Sequence, residues 1–162
     1  MTIKRLAAAC AMTLMALAFA SCASVNAGGK GPASPSAERM SMEEAVRRAV
    51  DGLADAYQRE DIGGFMALVS ERFTGDTSIL DSSVRRDFSA YTDIDIRLNV
   101  DSVTFDGVDR AFVSVTFTRS HTDTGTGARA SRSGSTFFVF RHEDGAWRLW
   151  SAGVPPVFGV SG

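Results

Sequence analysis

The stretch DIDIRLNVDSVTF, Asp93 to Phe105, decides the fold. Ile94, Ile96, Leu98 and Val100 alternate with Asp93, Asp95, Arg97 and Asn99, the period of a strand that buries one face and wets the other. The apolar set then changes phase to Val103 and Phe105. A phase slip inside a strand is how a β-bulge reads in sequence, so this strand is long and bent near Asp101 and Ser102. Alternation resumes after the Asp106-Gly107 turn in RAFVSVTFTRS, with Ala111, Val113, Val115 and Phe117 on one face. The loop HTDTGTGA follows, and ARASRSGSTFFVFRH and AWRLWSAGV then flank Glu143-Asp144-Gly145, a hairpin signal. The pattern predicts four antiparallel strands in a meander.

Upstream the period is helical. SMEEAVRRAVDGLADAYQ spaces Met42, Ala45, Val46, Ala49, Val50, Leu53 and Tyr57 along one stripe, and Ser41 with Glu44 is a capping-box pair that predicts a start near Met42. DIGGFMALVSERF predicts a second helix with Asp61 as N-cap and Ile62, Phe65, Met66, Leu68 and Val69 inward, although Gly63 and Gly64 oppose it. DSSVRRDFSAY predicts a short third helix capped by Asp81, with Val84 and Phe88 one turn apart. Helices first and strands later give an α+β domain, the helices packed on a curved, bulged four-stranded antiparallel sheet.

These phrases carry a resemblance. AYQREDIGGFMALVSERF, the bulged long strands and the closing hairpin FFVFRHEDGAWRLWSAG, with its Asp-Gly-x-Trp, resemble the nuclear transport factor 2-like superfamily, which includes ketosteroid isomerases and polyketide cyclases. The resemblance spans about Glu38 to Val154 and implies a cone-like, cystatin-like sheet. It says little of activity, because this fold carries enzymes, binders and assembly modules alike.

The N-terminus reads differently from the rest of the 162 residues. Lys4 and Arg5 precede an uncharged run from Leu6 to Ala20, followed by LAFASCASVNAGGKGPASPS, Leu17 to Ser36. Fifteen uncharged residues fall short of the roughly 20 that span a bilayer core, and the run is apolar all round, unlike the stripe of a core helix. Residues 1–21 therefore read as an export signal. Cys10 would leave with that signal, so the exported chain would hold one thiol and no internal disulfide. Phe19-Ala20-Ser21-Cys22 resembles the bacterial lipobox, with Phe19 in place of the usual leucine, and implies acylation at Cys22; a free thiol after nearby cleavage is the alternative. Residues 22–37, rich in Gly, Pro, Ala and Ser, read as the acylated cysteine and a flexible tether, and residues 38–162 as the domain. The expected location is the bacterial cell envelope, with the chain held on the periplasmic face of the outer or inner membrane through lipid. Loss of residues 1–21 removes two cations and no anion, so the net charge moves from −2 to −4; nucleic acid is not an expected partner.

Chemistry is harder to find. The isomerases of the resembled family use a tyrosine on the first helix and two acids inside the cone. Tyr57 lies on the first helix, and its place late in the stripe predicts a hydroxyl at the rim. Asp93 and Asp95 fall on the wet face, so no acid matches residue by residue. His121 with Asp123, and His142 with Glu143 and Asp144, read as exposed turn residues rather than metal ligands, and no metal or cofactor is expected. No G-x-S-x-G, P-loop or H-E-x-x-H pattern occurs. What stands out is Arg119, Arg129 and Arg132 around the loop, and the aromatics Phe137, Phe138, Phe140, Trp147 and Trp150. Adjacent Phe137 and Phe138 must point to opposite faces of a strand, one covered by helices and the other by sheet curvature or the tail VPPVFGV, or else left as a partner surface. The candidate pocket or binding face is therefore Tyr57, Arg119, Arg132, Phe138 and Trp150. It predicts a binding module for an envelope protein or a small apolar ligand, with a homodimer through the sheet or an isomerase- or cyclase-type enzyme as the other readings.

Overall fold

A computed structural model describes residues 34–160. The predicted export signal, Cys22 and most of the predicted tether lie outside them. The first helix, α1, runs from Pro35 to Gln58, seven residues earlier than its capping-box signature suggests. Ser34 is the cap, its hydroxyl accepting from the Ala37 N–H, and Pro35 fits the first helical position because its missing N–H costs nothing there. The helix thus takes in residues 35–37, which composition assigns to the tether. These opening turns are exposed; the buried stripe begins at Val46 and continues through Val50, Leu53, Ala54 and Tyr57.

The second helix, α2 (Ile62–Ala67), starts on Asp61 as predicted, and that cap explains one of the two opposing glycines, Gly64. A Cβ on Gly64 would lie 2.2 Å from the Asp61 carboxylate, whose other oxygen receives the Gly64 N–H at 2.8 Å. The third helix, α3 (Thr77–Ala90), is capped by Asp76 rather than Asp81. Asp76 accepts from the Ser78 and Ile79 amides, whereas Asp81 lies one turn inside and pairs with Arg85 at 2.7 Å.

Four strands follow, β1 (Tyr91–Asp106), β2 (Arg110–Asp123), β3 (Arg129–Glu143) and β4 (Ala146–Ala152), in the sheet order β1-β2-β3-β4, all antiparallel. The β1–β2 register shifts between Val100 and Ser102, where the apolar phase changes in sequence. Arg47 of α1 donates to the Val100 carbonyl there at 3.1 Å, a charged donor beside the bulge. Val69 bridges Leu149, so the segment after α2 covers the free edge of β4. Among the described residues the fold is α+β, three helices on a four-stranded curved sheet, with the core between α1 and the inner faces of the strands.

Candidate functional site

The inner face of β2 carries Ala111, Val113, Val115, Phe117 and then, in the same phase, Arg119. A guanidinium at an inward position needs a counter-charge, and α3 supplies it. Val84, Asp87 and Phe88 share one face of that helix, and Asp87 meets Arg119 at 3.0 Å with both side chains at 1% exposure or less. Tyr57, from the last turn of α1, donates its hydroxyl to the same carboxylate oxygen in a short hydrogen bond. Burial first, and the Asp87 hydrogen bond second, push the Tyr57 hydroxyl well above its ordinary pKa, so it stays a donor.

The opening of this site is filled by the chain's own C-terminal segment. The Val160 N–H donates to Asp87 Oδ2 at 3.0 Å, and the Gly159 N–H donates to the Tyr57 hydroxyl at 2.9 Å. The Val157 carbonyl accepts from Arg119 Nη1 at 2.9 Å. Between these contacts the Phe158 ring lies 5.0 Å from those of Tyr57 and Phe65 and stacks on Phe138 at 6.0 Å. At the rim Arg132 donates to the Pro156 carbonyl and lies 5.6 Å over Phe117. Gly159 is fixed in this place by its φ of 64° and by Ser83, 2.7 Å from where a Cβ would be.

Four of the five candidate residues, Tyr57, Arg119, Arg132 and Phe138, therefore meet around one segment. Trp150 does not join them: it lies half-buried, with the Arg110 and Arg141 guanidinium groups each 5.7 Å from its ring. The Tyr57 hydroxyl is at the centre of the site and not at its rim, because α3 brings an acid over it. Arg119, one of the arginines around the loop, is the buried partner of an ion pair. His121 also departs from expectation: it is half-buried in β2 against Tyr91, ring centroids 4.0 Å apart, because β2 runs on through Asp123. His142 is exposed, as predicted. Asp87 escaped sequence reading, although its spacing from Val84 and Phe88 places it on the apolar face of α3.

Chemically, Asp87 Oδ2 already receives Tyr57, Arg119 and an amide. Through this oxygen Asp87 holds the Tyr57 hydroxyl, the Arg119 guanidinium and the C-terminal segment together. A separate cleft of about 330 Å³, lined by Glu71, Arg72, Glu143, Asp144 and Arg148, shares no residue with this site.

No family model matches the chain, and no curated protein does. Solved structures do match. A conserved protein from Planctomyces limnophilus DSM 3776 is 15% identical with a TM-score of 0.64, covering 70% of this chain and 94% of that one. A ketosteroid isomerase-like protein from Erwinia carotovora atroseptica SCRI1043 is 18% identical with a TM-score of 0.60, over 70% and 96%. An NTF-2 like protein of unknown function from Shewanella oneidensis MR-1 is 10% identical with a TM-score of 0.55, over 68% and 96%. The chain has the nuclear transport factor 2-like fold.

Proposed function

We propose that this chain is a lipid-anchored protein of the bacterial cell envelope, acylated at Cys22, whose domain binds a partner rather than transforming a substrate. The observation that carries the non-catalytic reading is the filled interior. Tyr57, Asp87 and Arg119 are each at most 1% exposed, and Phe158 occupies the space a reacting molecule would need. What remains accessible is the outer face of the sheet, where Phe112 (42% exposed) and Phe137 (51%) lie on neighbouring strands near Trp150. That face is the proposed contact for an envelope partner or a second copy.

A photoreactive phenylalanine at position 137 in the acylated protein, irradiated in isolated envelopes, is expected to give a discrete crosslinked band that Phe112→Asp removes. Absence of any crosslink from a folded protein would overturn the reading. One observation favours an isomerase- or cyclase-type enzyme instead: Tyr57 and Asp87 face each other inside the cone. In that case Tyr57→Phe would abolish the cellular role with the crosslink intact.

A further inference from the structure

We propose that the Tyr57–Asp87–Arg119 site is a peptide site, held in cis by Val157–Val160 and open to a bent segment with an aromatic-glycine pair from another polypeptide when that segment withdraws. The chemistry of the contacts is that of peptide recognition. Three of the four residues engage the site through main-chain groups, the Val157 carbonyl and the Gly159 and Val160 amides, and one through a ring. Main-chain bonds give affinity that depends little on side chains, and the ring pocket of Tyr57, Phe65 and Phe138 gives selectivity. The backbone adds a second requirement. Only glycine fits after the ring, because φ is positive and Ser83 blocks a side chain.

The segment lies outside the regular elements, although Val157 and Phe158 are buried. It belongs to no helix and pairs in no strand, and the sheet is complete without it at Ala152. Its root is the exposed Val154, 82% accessible, followed by Pro155 and Pro156. The site it fills has capacity it does not use. Nε and Nη2 of Arg119 and the hydroxyl of Thr136, on residues 1% and 6% exposed, have no hydrogen-bond partner among the described residues. Buried donors without acceptors are costly, and a segment bringing one more carbonyl toward Arg119 would satisfy that guanidinium better than the tail does.

The first experiment uses the unmodified exported chain. In native-state hydrogen exchange, the Gly159 and Val160 amides should exchange at least about 100-fold faster than those of Val113 and Phe138, through an opening that leaves the sheet closed. Exchange of all four at one rate would make the tail part of the core and overturn the proposal. The second uses a labelled peptide, VPPVFGVSG, with fluorescence anisotropy. A site blocked in cis lowers apparent affinity by the fraction open, so the full-length Phe158→Ala chain should bind the peptide at least about tenfold more tightly than the unmodified chain. A peptide with Ala in place of its Phe should not bind. Equal binding to both chains, no binding to a folded Phe158→Ala chain, or failure of that chain to fold would each overturn the proposal. The outer-face crosslink at position 137 involves none of these groups, so either reading can fail alone.

Discussion

Phe137 and Phe138 are neighbours in one strand and belong to different molecules in all but covalent terms. Phe138 is 1% exposed and stacks on Phe158 over an ion pair; Phe137 is 51% exposed on a face whose other β2 and β3 positions are mostly hydroxyls, among them Ser114, Thr116, Thr118, Ser133 and Ser135. The inner face is committed: Tyr57, Asp87, Arg119 and the rings of Phe138 and Phe158 are packed on one another. The outer face is uncommitted, and its polar pairs, such as Thr118 with Ser133 at 3.1 Å, compete with water. The contrast teaches where to look for stability and where to look for a partner.

The bluntest way to break the contrast is to truncate both rings. Phe138→Ala removes a packed ring and leaves a cavity, with an expected loss of about 3–5 kcal/mol. Phe137→Ala should cost under about 1 kcal/mol, because half its surface already meets water. Urea unfolding of the two variants beside the parent checks this, and similar losses would mean that the outer face packs against something within the same chain.

A finer cut compares polar groups. Tyr57→Phe deletes the donor to Asp87 and strips the Gly159 amide of its acceptor, so about 1–3 kcal/mol should be lost. Thr118→Val on the outer face deletes a hydroxyl of equal size and should stay within about 0.5 kcal/mol of the parent. The same denaturation series reads both, and a Thr118 effect as large as that of Tyr57 would erase the distinction between the faces.

Much of this was legible in the sequence because alternation encodes the faces directly. Ile94 to Val100, the phase change before Val103 and the run Ala111 to Phe117 predict β1, its bulge and the inner side of β2, and the structure has all three. The helix starts were less legible. Ser41 and Asp81 have capping chemistry, but Ser34-Pro35 and Asp76 lie earlier, and helices extend to the first competent cap when nothing between opposes them. The interior site was half legible. Arg119 continues the inward phase of Phe117, which flags a charge in the core, and Asp87 sits between Val84 and Phe88 on a helical face. What no local pattern reveals is that α3 and β2 bring these two together, or that the tail returns from 102 residues away to bind Tyr57.

The smallest effect lies at the seam between the faces, where β2 ends in His121 and Asp123. Burial, and then the Arg119 charge, hold the His121 imidazole below its ordinary pKa of 6.5, with Asp87 and Asp123 opposing. The folded chain therefore binds a proton here less readily than the unfolded chain, and the contribution of His121, complete above 6.5, is lost as the pH falls from that value through the lower folded one. Asp123 behaves alike in an acid window of its own. Its carboxylate accepts from the Thr126 amide at 2.8 Å and the Gly125 amide at 3.0 Å, which lowers its pKa from 3.8, so its contribution persists above 3.8 and disappears below. The two windows separate on the pH axis. Between about pH 7.5 and about pH 5 the parent should lose slightly more stability than His121→Asn, whereas Asp123→Asn, which removes a charge that favours the imidazolium, should lose at least as much as the parent there and less than the parent only in stronger acid. Parallel curves for the parent and His121→Asn would show that the imidazole titrates as freely folded as unfolded, and that the inner face ends at Arg119.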